Sequence, residues 1–293
     1  MISLRAYAKL TLALEVLGRR SDGYHEIKGV FQSLSLHDTL TFEPAPVLRV
    51  LADVPSLAGP DNLVLTAARK LKEAHGDGRG AVITLSKGIP EGAGLGGGSS
   101  DAAATLRGLD RLWGLEMSLV RLASVGASIG ADVPFCLWGG TALVAGKGEV
   151  VTPLPTPECF AVLVSPPFTL GEKTRRMYSA LRPYQFTDGR RVDSLVAALR
   201  RGEAPDNAML GNVFEPVAWR LFPGLEDYRR YFWEAGARGV HLAGSGPVLF
   251  TLERDAERAS YLAERLRREG LNVLVARFLP APTPALMLSC PTP

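Results

Sequence analysis

The sequence predicts an α/β (α+β) protein of two halves, and three observations carry that expectation. Strand-like and helix-like runs alternate along the chain. A glycine-dense loop, Pro90–Asp101 (PEGAGLGGGSSD), joins a strand-like run to a helix-like one. Three closely spaced prolines, Pro153, Pro155 and Pro157, interrupt the pattern midway and mark the expected boundary between residues 1–152 and 153–293. At 293 residues the chain can hold two ordinary domains or one large one.

Taken in order, Leu10–Leu17 is apolar with alternation, and Phe31–Leu36 and Thr39–Phe42 alternate as well, so each reads as a strand. The polar segment Gly18–Glu26 between them carries Asp22-Gly23, a tight-turn signal. Asp61 is placed to cap a helix over Asn62–Ala74, with Leu63, Ala67, Lys70 and Leu71 near one face. Ala81–Leu85 is a short β-branched strand that delivers the chain into the glycine loop. After the loop, Ala103, Leu106, Leu109 and Leu112 recur at helical spacing within Ala102–Leu112. Ser118 caps a second helix, Leu119–Ser128, and a strand follows at Thr141–Ala145. Beyond the prolines the pattern gives a strand at Phe160–Val164 and helices at Glu172–Leu181, Val192–Arg201, Val213–Leu221 and Glu226–Ala235. Gly239–Leu252 reads as two strands about a glycine turn, followed by an amphipathic helix, Asp255–Glu269, and a strand, Asn272–Ala276. The tail Pro280–Pro293 is expected to be irregular.

Composition narrows the class. Hydrophobic residues at 46% and charged residues at 22% belong to a globular enzyme and exclude a disordered or fibrous chain. The net charge is +3, and the arginines are scattered in pairs instead of forming one stripe, which argues against nucleic acid as a partner. Cys136, Cys159 and Cys290 are far apart with no CxxC, so neither a disulfide framework nor a zinc site is expected, and free thiols fit a reducing cytoplasm. No leader pattern and no run of about 18 apolar residues is present, so a soluble protein without a membrane partner is expected. The sequence is silent on oligomeric state.

The glycine loop carries the chemistry. Its glycines let backbone N–H groups approach a ligand, and orphan N–H groups ahead of a helix form an anion site. Ser99 and Ser100 add hydroxyls for phosphate oxygens or a magnesium shell. The loop lacks the Gly-Lys-Ser/Thr of a Walker A motif, and no strand ending in an acid follows at the distance a dinucleotide fold requires. A nucleotide with its terminal phosphates at this loop is the sharper inference, against a plain glycine-rich turn. Phosphoryl transfer further needs a cation and a group to deprotonate or orient the attacking hydroxyl. Lys9, a lone cation opening an apolar strand, and Asp132, in the apolar segment ADVPFCLW, are the candidates. The competing structural roles are an edge-strand gatekeeper for Lys9 and a helix N-cap for Asp132.

The loop resembles the PxxxGLGSSxA box of the galactokinase–homoserine kinase–mevalonate kinase–phosphomevalonate kinase superfamily. Ala8-Lys9-Leu10-Thr11-Leu12, Arg19–Glu26 (RRSDGYHE), Asp61-Asn62-Leu63, Gly130–Pro134 (GADVP) and Gly244–Pro247 (GSGP) resemble, in order and spacing, one branch of it. The resemblance runs from Lys9 to about Phe250. It implies an N-terminal half folded like a ribosomal-protein domain, a ferredoxin-like C-terminal half, and a kinase of the non-mevalonate isoprenoid pathway. The implied reaction uses ATP with Mg2+ to phosphorylate the 2-hydroxyl of a small-molecule substrate, a cytidine diphosphate-linked methylerythritol.

By the same resemblance Asp132 is the base, Lys9 holds and polarises the hydroxyl, and no protein metal cage is expected. Pro90, Gly92, Gly94, Leu95, Gly96, Gly97, Gly98, Ser99 and Ser100 bind the ATP phosphates, with Asn62 and Lys87 near the adenine. Thr11, Tyr24, His25, Asp132, Gly244 and Ser245 address the acceptor. The residues alone also allow a solvated Lys87, a helix-start amide at Asn62, a surface turn at Tyr24-His25 and a plain hairpin at Gly244–Gly246. Two positions depart from the family pattern: Thr11 stands where asparagine is usual, and Ala93 where glycine is. A homoserine or sugar kinase of the same superfamily shares the loop but gives no reason for Tyr24-His25, and a non-catalytic nucleotide- or RNA-binding module would need neither Lys9 nor Asp132.

Overall fold

The computed structural model describes residues 1–282 apart from 60, 77, 78 and 169, so the part of the expected irregular tail beyond 282 lies outside the described residues. In chain order the first half comprises β1 (Ile2–Arg19), β2 (His25–Ala45), β3 (Leu48–Ala52), α1 (Leu63–His75), β4 (Gly80–Ser86), α2 (Gly97–Trp113), α3 (Leu119–Ala127), α4 (Val133–Trp138), β5 (Thr141–Gly146) and β6 (Val150–Leu154). The second comprises β7 (Phe160–Val164), α5 (Lys173–Ala180), α6 (Arg190–Arg200), β8 (Gly211–Asn212), α7 (Glu215–Leu221), α8 (Leu225–Ala235), β9 (His241–Leu242), β10 (Leu249–Glu253), α9 (Ala256–Arg268) and β11 (Val273–Leu279).

One long antiparallel pair organises everything. β1 and β2 run against each other from Ile2↔Phe42 to Arg19↔His25, with the register shifting between Tyr7 and Lys9 and again between Thr11 and Ala13. The free side of β2 takes three partners in turn: β5 along residues 27–32, β11 at 33–34 and β4 at 39–45. In the second half β7 is sandwiched between β10 and β11, and β9 completes the sheet order β11-β7-β10-β9. All pairs in that sheet are antiparallel, and β7 is an apolar run with Ala161–Val164 buried, as a central strand covered on both faces must be. α8 and α9 cover one face through Phe232, Leu262 and Leu266, while α1–α4 pack on the N-terminal sheet through Leu71, Leu106, Leu109 and Phe42.

Most expected elements form, and the differences have local causes. β1 begins at Ile2, and β2 is continuous where two strands were expected, because His37–Asp38 stay in register with Tyr7–Ala6. α1 is capped by Asn62 instead of Asp61: the Asn62 side-chain oxygen accepts from Val64 N at 2.8 Å, and Gly76 closes the helix in the left-handed region. Ala67 and Leu71 are buried as expected, whereas Lys70 is exposed and pairs with Glu73 at 2.9 Å. α2 starts at Gly97, so the last residues of the glycine loop already form its first turn. α4, β3, β6 and β8 are too short or too weakly patterned to announce themselves. β6 runs through residue 153, where the proline pattern placed the boundary.

Candidate active site

The register shifts of β1 set up the centre. Bulges re-aim side chains, and here Lys9 and Thr11 turn into a cleft of about 1220 Å³ between the two halves. The backbone N–H of Lys9 donates to Leu95 O at 2.8 Å, tying the strand to the glycine loop. The Lys9 ammonium lies 3.2 Å from Asp132 Oδ2, donates to Thr11 Oγ1 at 3.2 Å and stands 4.4 Å from the centre of the Phe31 ring. Asp132 occupies the N-cap position of α4 yet makes no side-chain cap bond, so its carboxylate serves the lysine and not the helix.

The loop wraps this pair with backbone. Gly94 has φ +84, and a Cβ there would run into Ala243 O of the second glycine turn. Gly96 has φ +68, and a Cβ would sit 2.6 Å from Lys9 Cγ. Only glycine permits both the conformation and the closeness. Gly96 is the N-cap of α2 and has no side-chain capping partner. Ser100 N, by contrast, is bonded to Gly96 O at 2.9 Å, so the free N–H groups are those of Gly97, Gly98 and Ser99, at the positive end of a helix of 17 residues. Ala93 has no positive φ and is buried, so its departure from glycine is accommodated. Pro90, Gly92, Gly94, Leu95, Gly96, Gly97, Gly98 and Ser99 line the cleft. Ser100 is instead buried, its hydroxyl donating to Tyr7 O at 2.6 Å.

Asn62 also lines the cleft, but its amide is engaged: the oxygen caps α1 and the nitrogen donates to Leu57 O. Lys87 is not solvated. Its side chain is 9% exposed, and its ammonium is held by Asp38 and, at 2.8 Å, by Asp101. The two carboxylates raise its pKa despite its burial. Asp38 accepts the N–H groups of Gly88 and Ile89 at 2.6 and 2.8 Å. Burial pushes Asp101 up to about 7, with Lys87 pulling it down and Asp38 adding to the rise.

At the other end of the cleft the side chains are aromatic. His25 stacks on Tyr178 with ring centres 5.0 Å apart, and Phe186 meets it edge-on. Burial, followed by the Arg19 charge, lowers the His25 pKa, so the ring is neutral at pH 7. Tyr24 is exposed and lies under the Lys147 ammonium at 4.8 Å. Asn212 holds the second glycine turn by donating to Gly244 O at 2.7 Å, and Ser245 Oγ is 3.4 Å from Thr174 Oγ1. The structure therefore brings Lys9, Thr11, Asp132, the loop, Tyr24, His25, Gly244 and Ser245 to one cleft.

Sequence reasoning passed over Lys147, Phe186 and Lys173. Lys173 donates to both Gly92 O and Gly246 O. A lone lysine beside a turn was the only signal for Lys147, and Lys173 was masked by its neighbours Arg175 and Arg176. Among the described residues no group of three or more His, Cys, Asp or Glu side chains could hold a metal ion, and no helix is long and apolar enough to cross a membrane.

A glycine-dense loop ahead of a helix, a Lys–Asp pair and an aromatic recess share one cleft, and the comparisons give the class, a small-molecule kinase. Residues 62–140 match the GHMP kinases N terminal domain and residues 193–272 the GHMP kinases C terminal domain. A 4-diphosphocytidyl-2-C-methyl-D-erythritol kinase of Dehalococcoides mccartyi is 44% identical over 272 residues, covering 92% of this chain and 95% of that protein. Its counterpart in Pelotomaculum thermopropionicum is 43% identical over 284 residues, 94% of this chain and 98% of that one. A crystal structure of a 4-(cytidine 5'-diphospho)-2C-methyl-D-erythritol kinase superposes with a TM-score of 0.80 at 39% identity, over 94% of this chain and 99% of that one. Homoserine kinase from Cytophaga hutchinsonii, at 21% identity and a TM-score of 0.72 over 95% of each chain, shares the fold. The chain belongs to the 4-diphosphocytidyl-2-C-methyl-D-erythritol kinase family of the GHMP kinases.

Proposed function

We propose that this protein transfers the γ-phosphoryl group of ATP to the 2-hydroxyl of 4-diphosphocytidyl-2-C-methyl-D-erythritol, a step in isoprenoid precursor synthesis. The observation that carries the reading is the Lys9–Asp132 pair, 3.2 Å apart, set between the glycine loop and the His25–Tyr178 recess. The N–H groups of Gly97, Gly98 and Ser99 and the α2 dipole receive the terminal phosphates. Asp132 accepts the hydroxyl proton as the new bond to phosphorus forms and the β–γ bridging bond breaks. Lys9, with Asp132 and Thr11 each taking one N–H, has a third for the acceptor or the moving phosphoryl oxygen. Thr11 does with a hydroxyl part of what an asparagine amide would do.

The cytosine ring stacks in the recess of Tyr24, His25 and Tyr178, where neutral His25 offers one donor and one acceptor nitrogen to a base edge. Magnesium would come with the nucleotide: Ser99, which lines the cleft, would offer a hydroxyl to its shell, and the ion would supply charge neutralisation during transfer. A small-molecule partner in a reducing cytoplasm completes the reading, in which Cys136 and Cys159 remain free thiols.

The test is ADP release from ATP and magnesium with the cytidyl substrate, homoserine and mevalonate offered in parallel. Turnover confined to the cytidyl substrate is expected. Asp132→Asn should lose roughly a thousandfold or more in kcat while the KM for ATP barely changes. Turnover of that variant at the parent's rate, or preference for another alcohol, overturns the assignment.

A further inference from the structure

We propose that Lys173 is a positioning residue of the polyphosphate site: its ammonium bridges the carbonyls of Gly92 and Gly246, clamps the phosphate loop to the second glycine turn, and presents a second positive charge to the cleft beside Lys9. The inference rests on the ATP reading above. Lys173 is the first residue of α5, and it lines the cleft together with Thr174 and Arg175. Two of its N–H groups are taken by Gly92 O in the first half and Gly246 O in the second. One remains for the cleft. The neighbouring contact from Thr174 to Ser245 reinforces the same junction.

The need for a cation at this point is electrostatic. Gly94 packs against the backbone of Ala243 and Gly246, so carbonyl dipoles of both turns crowd together at the edge of a site meant for a polyanion. An unshielded carbonyl would repel phosphate oxygens, and an ammonium between two of them reverses that field. The charged groups around it are Lys9 and Asp132 across the cleft, Glu91 next to Gly92, Lys147, and Glu172 and Arg175, which pair with each other at 3.0 Å. The second glycine turn, residues 244–247, contributes none. Burial, with Lys9 repulsion second, brings Lys173 down to about 8. Above that pH the neutral amine still has two N–H groups for the two carbonyls but turns a lone pair to the cleft. The clamp then survives while the charge is lost.

Equilibrium binding of a non-hydrolysable ATP analogue with magnesium, measured at pH 7 and pH 9 on the full chain, separates these roles without any acceptor. The parent should bind about tenfold more weakly at pH 9 than at pH 7, and Lys173→Arg, which stays charged, should abolish that difference while keeping affinity at pH 7. Lys173→Met should bind about tenfold more weakly at pH 7 and show no further loss at pH 9. Equal parental affinity at both pH values, or parental behaviour of Lys173→Met, overturns the inference while leaving the ATP reading intact. Failure of the parent to bind the analogue at either pH overturns both.

Discussion

At the scale of single residues, the trio Asp38, Lys87 and Asp101 gathers charge at the wall of the cleft, which Lys87 and Asp101 line and behind which Asp38 is buried. One ammonium serves two carboxylates, and the Asp101 Oδ1 oxygen has no hydrogen-bond partner. Asp38 accepts two backbone N–H groups, and Asp101 is the carboxyl that burial holds near 7. The folded pKa lies above the unfolded value near 3.8, so the folded state binds the proton more tightly. That contribution is full below the unfolded value and fades as the pH rises through about 7. Asp101→Asn should therefore gain stability over the parent at pH 8 and not at pH 5, read as the shift in urea midpoint at each pH. A parental midpoint for the variant at pH 8 would contradict the assignment.

The same trio marks the limit of what a sequence discloses. Lys9 was legible because a cation opening an apolar strand has no local excuse. Lys87 follows a strand of ordinary polarity and resembles any solvated strand end, since its partners Asp38 and Asp101 lie far away along the chain. Lys173 opens a helix rich in arginine, where a lysine reads as a wet face.

At the scale of elements, the phosphate loop is a product of backbone geometry more than of side chains. That a glycine loop would join a strand to a helix was legible from the sequence. The helix start at Gly97 was not, because glycine is among the weakest helix formers and nothing local signals a turn held by packing. Nor was the division of labour between the two serines, since the burial of Ser100 against Tyr7 O depends on how β1 crosses the loop. Gly94→Ala tests the geometry. A side chain at φ +84 costs about 1–2 kcal/mol by itself, and the collision with Ala243 O forces the two turns apart. Thermal melting should show a lowered midpoint, and analogue binding should weaken beyond what the lost stability explains. An alanine variant with parental melting and binding would mean that the turns are free to separate.

At the scale of the molecule, the alternation of strands and helices was legible, but the way the two parts lock was not. β11 pairs with β7 through five register positions and with β2 at Leu34 and Ser33, and β8 adds to β1 at Ala13 and Leu14. Gln32 extends the seam by donating to Leu279 O at 2.9 Å. A strand's neighbours are chosen by tertiary contacts, and pairing between residues this distant leaves no periodic trace. Fragments 1–152 and 153–293 are therefore expected to remain unfolded or aggregate when made separately and to recover protected amides only when mixed, as hydrogen exchange would register. A protected sheet in either fragment alone would refute this.

The late position of β11 has a consequence for how the protein is born. The ribosome releases the chain from its N-terminus, and β11, the last strand of the described chain, is the one that joins β2 to β7. Until it emerges, both strands present unpaired edges, which are templates for unwanted pairing. The nascent chain thus lacks the strand that completes the sheet until residues 273–279 have been made, and translation interrupted before that point would yield a product with exposed, adhesive strand edges. For a cell, truncation of this enzyme would then be a burden on its chaperones and proteases as well as a lost activity.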